Sequence, residues 1–255
     1  MSTELLTQTH GKTLVMTLSG PGNRNALSPQ VHAAGIEALN MAESNPDIGA
    51  VVITGAGEHF CSGGDLQRLR QQRAHDLAGQ AAVLRSFHDW VLALRAFPKP
   101  VLAAVEGHAS GAGVSLALAC DAVCAASDAH FHLSHIRAGL SPDGGLSMHL
   151  VRALGRQRAW MAMALGDTHT AADWLAWGLV HSLSEPGQAL SRALAVAEQL
   201  SAQAPGAIAA MKELCNSADN RLAEHLNDEL RQFMVTLAQP EAGTAIDAFF
   251  QRQPA

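Results

Sequence analysis

Two glycine-rich stretches hold the residues best suited to chemistry: Gly57-Glu58-His59-Phe60-Cys61-Ser62-Gly63-Gly64-Asp65-Leu66 and Gly107-His108-Ala109-Ser110-Gly111-Ala112-Gly113. Each follows an apolar run and leads into a helical pattern. Small-residue turns of this kind can leave backbone N–H groups unpaired and aimed at a ligand oxygen. Two of them brought together polarise a carbonyl from both sides, as an oxyanion hole requires. Acyl chemistry is therefore the leading expectation.

Other constellations point less clearly. His130, His132 and His135 lie close in sequence, but no carboxylate or cysteine at ligand spacing joins them, so no metal site is expected. Ser110 lacks the Gly-x-Ser-x-Gly elbow of a serine hydrolase. The second turn also lacks the acidic partner, about twenty residues on, that a dinucleotide fingerprint requires.

The elements that must position the turns follow from pattern. Residues 14–18 read as a strand, and Pro21-Gly22-Asn23-Arg24-Asn25 as a turn. Ser28 and Pro29 then mark the N-cap and first position of a helix. Residues 50–54 form a short buried strand before the first glycine turn. Residues 66–97 are helical in pattern, in two pieces broken near 75–79 and ended by Pro98-Lys99-Pro100. Strands are expected at 101–105, 121–126 and 129–133, with a helix at 113–120. This alternation argues for an α/β architecture with mostly parallel, doubly covered strands. The pattern changes after residues 178–183, and residues 185–251 read as almost wholly helical, broken at Pro205-Gly206, at 217–220 and at Gln239-Pro240. Two readings of these helices stand open: an oligomerisation unit, or a cap on the core.

The chain has 255 residues, 48% hydrophobic and 16% charged, which is enough for a full globular core. A formal charge of −6 with 4% aromatics and no tyrosine argues against a nucleic-acid binder. No membrane association is expected, because the most apolar window, residues 100–126, is interrupted by Glu106, His108 and Asp121. Residues 1–10 show no signal-peptide pattern, and Cys61, Cys120, Cys124 and Cys215 have no C-x-x-C spacing. A cytoplasmic protein with reduced thiols is expected.

Ala56-Gly57-Glu58-His59-Phe60-Cys61-Ser62-Gly63-Gly64-Asp65-Leu66 resembles the first signature of the enoyl-CoA hydratase/isomerase (crotonase) superfamily. Lys99-Pro100-Val101-Leu102-Ala103-Ala104-Val105-Glu106-Gly107, running on to Gly111-Ala112-Gly113, resembles the second. The likeness continues through Phe131, Gly139-Leu140-Ser141-Pro142-Asp143-Gly144-Gly145, Ala172 and Trp177-Gly178-Leu179-Val180. The resemblance implies a crotonase (ClpP-like) spiral of ββα units over residues 1–190. It also implies a helical trimerisation region over 191–255, giving a homotrimer or a dimer of trimers. The implied substrate is an acyl-CoA thioester, with coenzyme A as part of the substrate and no separate cofactor. On the same basis the N–H groups of Gly64 and Ala112 would hold the thioester oxygen. Arg24, Ala26, Ser62, Asp65 and Leu66 fall where the family contacts coenzyme A.

The departures are as informative. By resemblance, the two glutamates of the family's hydratases fall at Ser115 and His135, and neither carboxylate is present. One acid remains, Asp143, at a position that resembles isomerase-type members and 4-chlorobenzoyl-CoA dehalogenases. Asp143 is read either as a proton shuttle or as the cap of a helix starting at Gly144. His88 falls at a functional histidine of the dehalogenases and is otherwise a packed helix residue. His135 is an acid–base partner or a polar pocket wall. The run Gln67 to Asp76 binds coenzyme A phosphates or is a solvated helix face. The expectation is an isomerase that moves a double bond by Asp143-mediated proton transfer. A hydratase lacking the two glutamates, a dehalogenase-like hydrolase and a non-catalytic acyl-CoA-binding protein are the alternatives.

Overall fold

A computed structural model describes residues 3–218 and 221–251. The main sheet has six strands: β1 (Glu4–His10), β2 (Thr13–Ser19), β3 (Ala50–Gly55), β4 (Val101–Val105), β6 (Ala122–Ala126) and β9 (Ser182–Ser184), side by side in that order. β1 and β2 form an antiparallel hairpin, and every later neighbour is parallel. β3 and β4 read Ala-Val-Val-Ile-Thr and Val-Leu-Ala-Ala-Val because both of their faces are covered. β1, by contrast, is an exposed edge with the polar sequence Glu-Leu-Leu-Thr-Gln-Thr-His. It carries no buried run, so sequence pattern alone did not mark it as a strand.

A second sheet holds β5 (His108–Ser110), β7 (His130–His132) and β8 (Thr168–Thr170). The chain alternates between the two sheets. β4 leads to β5 and helix α4 (Ala112–Ala119); β6 leads to β7 and, after a short 3-10 turn (Ser134–Ala138), to helix α5 (Leu146–Leu154). These are successive ββα units, and the site lies where the second strand of each passes into its helix. The three residues of β5 correct the sequence reading, which had a turn alone there. A strand this short is specified by its partner β7 rather than by its own residues.

Helix α1 (Pro29–Ser44) begins as Ser28-Pro29 requires, with Ser28 Oγ accepting the Val31 N–H. Helices α2 (Leu66–Gln72) and α3 (Leu77–Ala96) are separated near residue 75, where Asp76 accepts the Gly79 N–H and starts the second. Helices α6 (Arg156–Leu165) and α7 (Ala171–Ala176) follow α5; Trp174 of α7 stacks on Phe131, centroids 4.0 Å apart. Large fully buried side chains such as Trp90, Trp174 and Phe60 each contribute about 1.5–3 kcal/mol by leaving water.

The C-terminal helices are α8 (Ala189–Ser201), α9 (Pro205–Ser217), α10 (Leu222–Ala238) and α11 (Pro240–Gln251). α8 lies against β3, β4 and β6, so the 190/191 boundary expected from sequence falls inside a helix that covers the main sheet. α10 packs on α3, and α11 on α2 and the 134–138 turn. Arg73, which caps the end of α2, donates to the Gln239 carbonyl (2.7 Å), and Arg70 of α2 pairs with Asp247 (2.5 Å). No described helix is long and apolar enough to cross a membrane.

Candidate active site

The two glycine-rich turns are fastened to each other through backbone. Phe60 N–H donates to the carbonyls of Glu106 (3.0 Å) and His108 (3.2 Å), Cys61 N–H to His108 (3.2 Å), and Ser110 N–H back to Cys61 (2.9 Å). Gly63 completes the approach. Its φ is +92°, and a Cβ there would stand 2.6 Å from the Ser110 carbonyl oxygen and 3.2 Å from the Ala112 nitrogen. Only glycine fits such a position. Ala112 is the first residue of α4, where a helical N–H has no partner within the helix. Among the described residues, neither the Gly64 nor the Ala112 N–H has an acceptor.

Asn25, which sequence reasoning treated only as turn chemistry, fixes the first turn from outside. Its buried amide donates to the carbonyls of Ala56 (2.9 Å) and His59 (2.8 Å) and accepts the Gly20 N–H (2.9 Å). Arg24 and Asn25 both have positive φ, which brings the Arg24 carbonyl onto the Ser62 N–H at 2.9 Å. Burial pushes the Cys61 thiol up to about 12. That sulfur donates to the Asn25 carbonyl and is a structural group.

The turns open on a cavity of about 710 Å³. Of the ten residues singled out from sequence, Arg24, Ser62, Gly64, Asp65, Leu66, Ala112, His135 and Asp143 line it. Ala26 and His88 are buried outside that lining. Asp65 also accepts the Arg68 N–H and so caps α2. The missed residues are those that close the space: Leu84 and Phe87 of α3, Phe233 of α10 and Phe249 of α11 among them. Their sequence signal was only the apolar face of each helix.

Asp143 and His135 meet on the cavity wall, with His135 Nε2 3.1 Å from Asp143 Oδ1 and both side chains buried. His135 Nδ1 has no partner among the described residues. The capping role considered for Asp143 is not what the structure shows. α5 starts at Leu146 after Gly145, without a side-chain cap from Asp143.

The carboxylate at that helix start belongs to Glu229 of α10, which accepts the N–H groups of Gly145 (2.6 Å) and Ser147 (3.1 Å) and the Ser147 hydroxyl (2.6 Å). Burial works to raise the Glu229 pKa, but hydrogen bonds from His225, Ser147 and Gly145 outweigh it and hold the group below its ordinary range. Ser115, at the position compared with a hydratase glutamate, is fully buried and donates to the Asp143 carbonyl at 2.8 Å. His88 Nε2 accepts the Gly144 N–H at 3.3 Å. Burial lowers the His88 pKa against the pull of Asp143 and Glu229, and accepting the Gly144 N–H requires the lone pair of Nε2.

Among the described residues no group of His, Cys, Asp and Glu is arranged to hold a metal ion. His132 instead bonds His108 (2.7 Å) and Thr168 (2.9 Å).

The family model described as enoyl-CoA hydratase/isomerase matches residues 8–255. The chain is 33% identical to the 2,3-dehydroadipyl-CoA hydratase of Escherichia coli strain K12, covering 98% of this chain and 96% of that protein. It is 32% identical to the 1,2-epoxyphenylacetyl-CoA isomerase of the same organism, covering 86% and 84%. A crystal structure of an enoyl-CoA hydratase from Polaromonas sp. JS666 superposes with a TM-score of 0.83 at 48% identity, covering 98% and 97%. The fold is thus the crotonase fold, and the chain belongs to the enoyl-CoA hydratase/isomerase family.

Proposed function

We propose that the chain is an enoyl-CoA isomerase that moves a double bond by proton transfer through Asp143. The observation that carries this reading is the buried His135–Asp143 pair on the wall of the cavity that Gly64 and Ala112 also line, with Ser115 and His135 in place of two carboxylates. The unpaired N–H groups of Gly64 and Ala112 bind the thioester oxygen, forming an oxyanion hole. Fixed donors of this kind stabilise the enolate with little reorganisation, each typically worth ~10²–10³-fold in rate. Asp143 takes a proton from Cα of a 3-enoyl thioester, the electron pair shifts through the double bond, and the same carboxyl returns the proton at Cγ. His135, donating to Oδ1, leaves Oδ2 for the carbon acid.

Coenzyme A enters as part of the substrate, held near Arg24, Ser62, Asp65 and Leu66, with Ala26 behind them. The C-terminal helices serve self-association as a homotrimer or dimer of trimers. Exposed Met211 and Leu214 of α9 support an apolar contact surface there, and sedimentation tests it.

The hydratase names among the relatives favour a second reading, in which the His135–Asp143 pair activates water for addition to a 2-enoyl thioester. Incubation with a 3-enoyl-CoA in deuterated water, followed by NMR, separates the two. Exchange at the α and γ positions with double-bond migration, lost in Asp143→Asn, supports the isomerase. Water addition to 2-enoyl-CoA without migration supports the hydratase. Halide release from a 4-halobenzoyl-CoA, or tight binding with no turnover, would direct attention to a dehalogenase or a binding protein.

A further inference from the structure

One stretch of the cavity wall is polar in a specific sense. His32 of α1 and Gln80 of α3 both line the cavity, and both are more than nine-tenths buried. Their hydrogen-bond partners fix which of their atoms remain available. Ser86 Oγ lies 2.7 Å from the Val83 carbonyl oxygen, so the serine proton must sit between them. The 2.9 Å contact between Ser86 Oγ and His32 Nδ1 is then donated by the ring. That tautomer leaves a lone pair on His32 Nε2, which is buried and has no partner among the described residues.

The same reasoning applies to Gln80. Arg68 Nε can only donate, so the Gln72 atom it meets at 3.1 Å is the oxygen. Gln80 donates its amide nitrogen to that oxygen at 2.6 Å. Its own carbonyl oxygen has no partner among the described residues. Burial pushes the His32 pKa down to about 4 despite the neighbouring Asp143 charge, so the ring is neutral in ordinary buffers. Two residues of the wall thus carry acceptors fixed by geometry, set among apolar Leu84 and Phe87. The Gln80 carbonyl is the more open of the two; His32 Nε2 is closed off from the cavity, so a ligand reaches it only as neighbouring side chains shift.

We infer that His32 and Gln80 select an acyl group bearing a hydroxyl, alcoholic or phenolic, whose O–H donates to His32 Nε2 or to the Gln80 carbonyl. This rests on the acyl-CoA reading above and narrows it to hydroxylated acyl thioesters. A plain alkyl chain leaves both acceptors buried and unpaired, which is what gives a polar pocket its discrimination.

Calorimetry on matched thioesters tests this without turnover: hexanoyl-CoA against its 4-, 5- and 6-hydroxy forms, and 3-phenylpropanoyl-CoA against its para-hydroxy form. At least one hydroxylated ester is expected to bind the wild-type protein about tenfold tighter than its parent. His32→Leu or Gln80→Met is expected to bring that ratio to about one or below. Parent esters that bind with no hydroxyl preference in the wild-type protein would overturn this inference alone, whatever the variants do. A preference that survives in both variants would overturn it as well. Failure of every ester to bind would overturn the acyl-CoA reading and this inference with it.

Discussion

The two turns that bear Gly64 and Ala112 are held mainly by backbone, whereas the turn that bears Asp143 is held by side chains from elsewhere. In the first region Phe60, Cys61 and Ser110 exchange main-chain hydrogen bonds across the gap. In the second, Ser115 of α4, His88 of α3 and Glu229 of α10 each reach in to hold a carbonyl or N–H of residues 143–147. A backbone clasp depends on chain conformation, so it is broken by adding a Cβ. A side-chain clasp depends on chemistry far away in sequence, so it is broken by substitutions that touch no glycine. The two regions should therefore fail in different ways.

The largest effect expected is at Asp143, the carboxyl proposed to carry the proton. Asp143→Asn should lower turnover of a 3-enoyl-CoA by ~10²–10⁴-fold, the range for a positioned acid–base group, with substrate binding largely retained. Steady-state kinetics beside calorimetric binding would check this, and unchanged turnover would remove the proton-transfer mechanism. Next is the backbone clasp: Gly63→Ala adds a Cβ 2.6 Å from the Ser110 carbonyl at a φ of +92°. Turnover should fall ~10²–10³-fold through misalignment of the two N–H groups. Binding of a saturated acyl-CoA should fall less than turnover, since charge develops mainly in the transition state.

Acid should expose the same contrast. The His32 pKa of about 4 lies below the free value of 6.5, so the unfolded chain binds more protons between those values. Stability is then complete above pH 6.5, falls as pH drops towards 4, and levels off below. The loss from His32 alone is on the order of 3 kcal/mol. His149 of α5 is lowered to about 4 by burial and adds in the same direction. Denaturant titrations at pH 7.5, 6 and 5 should show that slope, reduced in His32→Leu. A flat profile would mean that the rings protonate without cost in the folded state.

The same division explains what the sequence made legible. The first region could be read because its instructions are local: glycines at fixed spacing after buried strands, with Ser28-Pro29 starting α1. The resemblance also led to Asp143 and His135, which the structure brings to 3.1 Å. Residues 108–110 were not legible as a strand, because three residues carry no periodicity and β7 decides their pairing. Nor was Glu229, eighty-four positions from the Gly145 N–H it accepts, because no spacing rule links a charge on one helix to the start of another. His88, read from sequence either as a functional histidine or as a packed helix residue, serves the Gly144 backbone outside the cavity lining, a contact no local pattern announces.

Glu229→Gln gives the smallest and most discriminating effect. Two backbone N–H groups and one hydroxyl point at the carboxylate, which accepts all three. An amide of the same shape keeps one oxygen and sets an NH₂ against a donor, so part of the clasp must open. Stability should fall by about 1–3 kcal/mol, the cost of leaving a buried polar group unpaired. If Asp143 is the proton shuttle, kcat should fall about tenfold, because small misplacements of a reacting group are costly while KM reports contacts elsewhere in the cavity. Hydrogen exchange locates the damage: the amides of residues 144–147 should lose protection while those of Phe60 and Cys61 keep theirs. Loss of protection in both regions at once would show that the two clasps form one cooperative unit, and their separation would be wrong.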